Sequence, residues 1–196
     1  MIVMGVDPGL AALGWAVVER KGQRVSLVAH GCLTTAPADG SDLDRVGMLA
    51  RDLGALIVGA HPAAVATESW CHYGQSATTQ AHALGLVLGM VRAVCVGAGV
   101  RHVEGERAQG WRTALGLSRS ASKAACQERV RAVLGLDKVV KPQHASDAAA
   151  VAIVAAKRGG AQGAVAGDSS PGTGKRTSEP AGGPCAASYA RDGGSP

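Results

Sequence analysis

The chain of 196 residues contains no phenylalanine, and aromatic residues make up only 3% of it. Apolar residues nevertheless reach 46%, so a hydrophobic core has to be packed with valine, leucine, isoleucine and alanine. A chain of this length suits one ordinary domain with residues to spare. Scarcity makes the few aromatic side chains conspicuous: Trp15, Trp70, Tyr73, Trp111 and Tyr189.

Paired cysteines and long apolar runs are also missing. The five cysteines are widely spaced without a C-x-x-C pair, which favours reduced thiols in a cytoplasmic protein. The longest apolar helical stretch, 83–91, stops at Arg92 and is too short to span a bilayer. Met1 leads directly into an apolar run, so we expect neither a secretion signal nor a membrane partner.

Positive charge is concentrated in one segment. The net charge is +5, and residues 101–141 contain nine Lys or Arg against four acidic residues. A basic segment of this kind suits a polyanion, nucleic acid first. A solvated helix surface explains the same charges equally well, so both interpretations stay open here.

Apolar periodicity predicts an α/β fold. Three strands at 2–6, 14–19 and 24–32, joined by short links, predict an antiparallel meander. A helix capped by Ser41 or Asp42 runs to about Gly59, with Leu43, Val46, Leu49, Leu53, Leu56 and Ile57 on one face. A fourth strand at 63–67 follows this crossover helix and should therefore be parallel to the first.

The second half of the domain is mostly helical. Helices are predicted at 76–97, 107–115, 121–135 and 144–157, with a fifth strand at 100–103. Small residues recur every fourth position in the first of these helices: Ala81, Gly85, Gly89, Ala93 and Gly97. This stripe permits close packing, either on the chain's own sheet or at a subunit interface. We expect residues 1–158 to form the domain and the Gly-, Ser- and Pro-rich residues 159–196 to be a disordered tail.

Two carboxylates end neighbouring strands of the predicted sheet. Asp7 closes the first strand before Pro8-Gly9, and Glu68 closes the fourth. The carboxyl ends of parallel strands are where open sheets place their sites. His144 and Asp147 share one face near the start of the last helix. Taken singly, each residue has an ordinary explanation. Asp7 could be a turn former and Glu68 a solvated strand end. His144 could be a neighbour of a helix N-cap, and Asp147 could complement the helix dipole.

Gathered in one place, three carboxylates would repel each other strongly. A pair of charges at 4 Å costs roughly 4 kcal/mol at an effective dielectric of 20. Oxygen ligands with one imidazole suit magnesium, with manganese as a substitute. Two such ions can activate water and stabilise the leaving oxygen of a phosphodiester.

The chain resembles the RuvC family of Holliday junction resolvases, within the RNase H-like (retroviral integrase) superfamily. Four stretches carry the resemblance, in family order over about residues 1–158. They are MGVDPGLAALG, which begins at Met4; ATESW, which begins at Ala66; the segment 116–130, which begins with GLSRSASK; and KPQHASDA, which begins at Lys141. The resemblance implies a mixed five-stranded sheet, antiparallel over its first three strands and then parallel. It also implies a homodimer that nicks opposed strands of four-way junction DNA with magnesium, alongside a RuvAB-type branch-migration complex.

Specific roles follow from matching motifs. Asp7, Glu68 and Asp147 match metal-binding catalytic carboxylates, and His144 falls where many members carry a carboxylate and some carry histidine. Lys123 matches a basic DNA contact, and Arg112 replaces a usual lysine. The family commonly has a phenylalanine shortly after the glutamate; this chain offers Trp70 or Tyr73 for base stacking, with Gln75 nearby as a polar contact.

Three different functions remain open from the sequence. The Asp-x-Gly opening also resembles the phosphate loop of actin-like, Hsp70 and sugar-kinase ATPases, although the chain is short for their two domains. A related nuclease could act on RNA or transposon ends. A module that binds junctions without cleaving them is the third, although the full set of carboxylates is present.

Overall fold

The computed structural model of the protein describes residues 1–68, 78–104 and 108–162. Within these ranges the strands are β1 (Ile2–Asp7), β2 (Ala12–Lys21), β3 (Arg24–Thr34), β4 (Ala64–Thr67) and β5 (Arg101–Glu104). The helices are α1 (Asp42–Ala60), α2 (Thr78–Gly97), α3 (Ala108–Ala114), α4 (Lys123–Leu134) and α5 (Gln143–Gln162), with a short 3-10 helix at Pro37–Asp39.

The five strands form one mixed sheet in the order β3-β2-β1-β4-β5. Strands β1, β2 and β3 are antiparallel neighbours, whereas β4 is parallel to β1 and β5 is parallel to β4. The tight β2–β3 turn follows the pairing of Lys21 with Arg24, and Gly22 takes a φ of 61°, which glycine adopts without strain. The predicted fold class and strand directions are confirmed.

Helix α1 begins as the sequence predicts but buries a different face at its start. The Ser41 hydroxyl accepts from the backbone N–H of Asp44, whose carboxylate accepts from the backbone N–H of Ser41. Leu49 is buried as expected, but Leu43 is 69% exposed. Leu43 lies six residues before Leu49, about 120° away around the helix. Arg45, four residues before Leu49, faces the interior instead.

Helix α5 lies directly on the sheet because two strand positions have no side chain. A Cβ on Gly5 of β1 would overlap the carbonyl oxygen of Ala148, and one on Gly14 of β2 would overlap that of His144. The helix is rich in buried alanine, which also allows this close approach. It ends at Gln162, past the expected end at 157, and the remainder of the predicted tail lies outside the described residues.

The small-residue stripe of α2 faces away from the sheet. Gly85, Gly89, Ala93 and Gly97 are exposed, whereas Val87 and Val91 are buried. The interpretation that this stripe packs on the chain's own sheet is therefore wrong, because the larger apolar side chains occupy that face. Among the described residues, none of the helices combines the length and apolar character needed to cross a membrane.

Candidate active site

Asp7 and Glu68 lie side by side at one edge of the sheet. Strand β1 pairs in parallel with β4, with Val6 opposite Thr67, so the residue that follows each is brought to the same edge. Asp7 is the last residue of β1, and Glu68 directly follows β4. The predicted neighbouring carboxylates are thus observed.

Helix α5 brings His144 to Asp7. Nδ1 of His144 lies 2.8 Å from Oδ2 of Asp7, close enough for the imidazole N–H to donate to the carboxylate. The close approach at Gly14 sets this position, because the His144 backbone lies against that glycine. The His144 side chain is half exposed, while that of Asp7 is only 20% exposed. Because Nδ1 contacts Asp7, Nε2 is the ring nitrogen that could bind a proton or a metal ion.

Asp147 completes the group of acids, and its negative charge repels those of Asp7 and Glu68. Burial raises the pKa of Asp7; the hydrogen bond from His144 opposes this, and repulsion from Asp147 adds to it. Burial also raises the pKa of Asp147, opposed by its contact with Gln143, whose Nε2 lies 3.4 Å from Oδ2. All three carboxylates are therefore less stable as anions here than in water.

Glu68 is the most perturbed of the three acids. Burial first, and then repulsion by Asp7 and Asp147, raise its pKa to about 7. The buried indole N–H of Trp111 lies close enough to favour the charged form, although its geometry falls short of a hydrogen bond. Arg112 also favours the anion.

The metal-free protein is expected to lose stability as pH rises from 4.5 to about 7, because the folded state favours protonated Glu68 over this range. Glu68→Gln should remove the share of this loss that Glu68 contributes and raise stability at pH 8 by about 1 kcal/mol, after allowance for solvent screening. Thermal unfolding across pH, in the presence of EDTA, measures the effect. Glu128→Gln, at an exposed helix position, is the control; identical pH profiles for wild type and Glu68→Gln would contradict the prediction.

The donor set fits a hard divalent cation. Three carboxylates and one imidazole could serve as ligands, and a bound cation would relieve the shared destabilisation of the anions. Within the described ranges, no three His, Cys, Asp or Glu side chains are already close enough together to hold a metal ion. The site is therefore gathered at one sheet edge but is not closed into a complete coordination shell.

Two predicted basic residues border the carboxylates. Burial raises the pKa of both Asp7 and Asp147, and the positive charge of Lys123, at the start of α4, partly opposes this rise. Nη1 of Arg112 donates to the carbonyl of Arg119 at 3.1 Å, so Arg112 ties α3 to the α3–α4 loop. The other predicted DNA contacts, Trp70, Tyr73 and Gln75, lie outside the described residues.

Sequence reasoning missed two neighbours of the site. Trp111 was conspicuous only as a rare aromatic residue, yet it is buried next to Glu68, with the guanidinium of Arg112 5.5 Å from its ring centre. Gln143 contacts Asp147 from the start of the same helix, and its four-residue spacing was the available signal.

Known proteins resemble this chain in both sequence and fold. Residues 3–155 match the family model described as "Crossover junction endodeoxyribonuclease RuvC". A protein of that name from Heliobacterium modesticaldum is 34% identical over 156 residues, covering 80% of this chain and 94% of the relative. The protein of the same name from Rubrobacter xylanophilus is 35% identical over 152 residues, covering 78% of this chain and 83% of the relative.

Solved structures agree with these matches. The Thermus thermophilus RuvC structure has a TM-score of 0.71 at 32% identity, covering 82% of this chain and 97% of that one. T. thermophilus RuvC in complex with Holliday junction substrate has a TM-score of 0.69 at 30% identity, covering 79% and 92%. The chain belongs to the RuvC family of crossover junction endodeoxyribonucleases.

Proposed function

We propose that the protein is a metal-dependent, structure-specific endonuclease that resolves Holliday junctions by paired nicks in opposed strands during recombination and DNA repair. One observation carries this proposal: Asp7, Glu68, His144 and Asp147 converge at one edge of the sheet in a chain of the RuvC family. Junction DNA is the substrate bound by the T. thermophilus relative, which supports the same substrate class here.

Magnesium is the proposed cofactor, bound as two ions by Asp7, Glu68, His144 and Asp147, with manganese as a substitute. When bound, such ions supply a nucleophilic water and stabilise the leaving oxygen. Asp7 and Glu68 are proposed as ligands from the rigid strands, and His144 and Asp147 from α5. The hydrogen bond between His144 and Asp7 orients both side chains for this role.

The decisive experiment compares a labelled four-way junction with linear duplex of the same sequence, in magnesium and in EDTA. The proposal expects paired nicks near the junction centre, dependent on metal and absent from the duplex. Equal cutting of duplex, or preferential cutting of RNA, would refute it. ATP hydrolysis in the absence of DNA would favour the ATPase interpretation instead.

Lys123 is proposed to contact a DNA phosphate beside the carboxylates, and Arg112 is proposed as a second basic contact. Lys123→Ala should weaken junction binding and reduce the slope of log affinity against log salt by about 0.9, since one fewer phosphate is neutralised. Fluorescence anisotropy over a series of salt concentrations measures the slope. Lys21→Ala is the control, because Lys21 lies at the β2–β3 turn, at the opposite end of the strands from Asp7. An unchanged slope for Lys123→Ala would remove this residue from the DNA contacts.

A homodimer is proposed, with the exposed small-residue face of α2 as its interface. Gly85, Gly89, Ala93 and Gly97 present little side chain there, and Val96 on the same helix is 80% exposed. Two opposed nicks require two active sites, which supports a two-subunit enzyme. We also propose cooperation with a RuvAB-type branch-migration complex and a cytoplasmic location, for which family membership is the support.

Ala93→Arg is expected to shift the protein from dimer to monomer in sedimentation equilibrium, because a long charged side chain prevents two helices from approaching closely. Paired nicking should give way to single nicks. Ala132→Arg, at an exposed position of α4, is the matched control and should remain dimeric. A dimeric Ala93→Arg variant would refute this interface.

A further inference from the structure

Arg45 of α1 is a charged residue in the protein interior. It is only 8% exposed, in a helix face otherwise formed by apolar residues such as Leu49 and Leu53. Burial of a guanidinium is strongly unfavourable unless its N–H groups find partners. Nη1 is 3.1 Å from Oδ1 of Asp42, and Nε donates to Oγ1 of Thr35 at 3.0 Å.

Thr35 connects Arg45 to the loop that follows Asp7. Its hydroxyl is 2.6 Å from the carbonyl oxygen of Leu10, and its backbone N–H donates to the carbonyl oxygen of Ala11 at 3.1 Å. Thr35 is itself 7% exposed. Because arginine only donates, the Thr35 hydroxyl must accept from Arg45 and give its own proton to Leu10. Arg45 thereby fixes the direction of that hydrogen bond.

The tethered loop is short and begins directly after the catalytic candidate. Only residues 8–11 connect Asp7 at the end of β1 to the start of β2 at Ala12. Thr35 holds two consecutive carbonyls of this loop, and Leu10 is anchored in the core. A shift of this loop would displace Asp7 relative to Glu68 and Asp147, and reactions of this kind are sensitive to displacements of about 1 Å.

We propose that Arg45 is a positioning residue for cleavage, acting through Thr35 on the loop after Asp7; this inference rests on the proposed function. Thr35→Val is the main test because it removes the hydroxyl with almost no change in shape. It should lower the rate of junction nicking at saturating protein by about 10- to 100-fold, as loss of a supporting contact commonly does. Junction affinity should stay within about threefold, since the phosphate contacts are elsewhere.

Three further variants separate positioning from folding. Thr35→Ser keeps the hydroxyl and should restore the rate, and Arg45→Met should resemble Thr35→Val. The Arg45→Met/Thr35→Val double variant should be no slower than either single variant, because both remove one connection. Ser41→Ala is the matched control: it weakens the start of α1 but contacts no residue of the loop, so its melting temperature should fall while its rate at saturation is unchanged.

A second measurement does not depend on cleavage. Mn²⁺ titration of the DNA-free protein, followed by electron paramagnetic resonance, should show affinity weakened about tenfold in Thr35→Val and unchanged in Ser41→Ala. Rates and Mn²⁺ affinities of Thr35→Val equal to those of Ser41→Ala would overturn the role of Arg45. If the wild-type protein does not nick the junction, the proposed function is wrong, and the Mn²⁺ titration alone decides whether Arg45 positions Asp7.

Discussion

Asp7→Asn is expected to lower junction nicking by roughly 10³-fold or more, since a metal-assisted phosphodiester reaction loses several kcal/mol of charge stabilisation. Three observations make Asp7 the residue with the largest effect. It lies at the centre of the candidate site, accepts the 2.8 Å hydrogen bond from His144, and its charge raises the pKa of Glu68. The amide has nearly the same shape but is neutral, and an NH2 group, which does not bind a hard cation, replaces one of the two carboxylate oxygens.

Junction binding by Asp7→Asn should be unchanged or slightly tighter, because removing a negative charge near the phosphates reduces repulsion. Gel-shift titration in EDTA measures binding, and single-turnover nicking in magnesium measures the chemistry. Asp52→Asn, which alters a carboxylate paired with Arg51 on the surface of α1, should leave both unchanged. Substantial nicking by Asp7→Asn would remove Asp7 from the catalytic group.

Gly14→Ala is expected to lower nicking by about 10²-fold through a residue that carries no chemistry of its own. The added methyl would overlap the carbonyl of His144, where helix α5 lies on β2. The start of the helix must then move away from the sheet, taking His144 and Asp147 with it. Overpacking of this kind also costs about 1–3 kcal/mol of stability.

Gly54→Ala is the matched control for Gly14→Ala. Gly54 lies within α1, and the nearest atom to an added methyl is 3.8 Å away on Val94, an ordinary contact. Alanine should therefore stabilise that helix slightly, by about 0.5–1 kcal/mol, with no change in nicking. Single-turnover rates, compared at temperatures where every variant is folded, test the pair. A Gly14→Ala protein as active as Gly54→Ala would show that α5 tolerates the shift.

Much of the candidate site was predictable because it follows from the order of strands along the chain. Asp7 and Glu68 each close an apolar run, and the helix between those runs makes the strands parallel, so the two carboxylates share one edge. His144 and Asp147 were placed on one helix face by their spacing, but periodicity does not reveal where that face packs.

Two predictions of which helix face is buried were wrong, because residue type and spacing do not show which way a face points. Leu43 looked like a core residue because only its apolar character was counted, whereas its angle around α1 directs it to solvent. The spacing of small residues in α2 shows that one face of the helix is small, but it does not show which face meets the sheet. The larger residues Val87 and Val91 take the buried side.

The sequence by itself determined the mixed five-stranded fold and the acids at its carboxyl edge, because strand and helix periods and the rules of chain connection act over short distances. Only the tertiary structure decided that His144 bonds Asp7 across 137 residues, that Trp111 lies next to Glu68, and that Arg45 is buried against Thr35. Each of these contacts depends on how closely a helix approaches the sheet or the chain segment beside it. That distance is set by the packing of side chains, and for His144 by the absence of a side chain at Gly14.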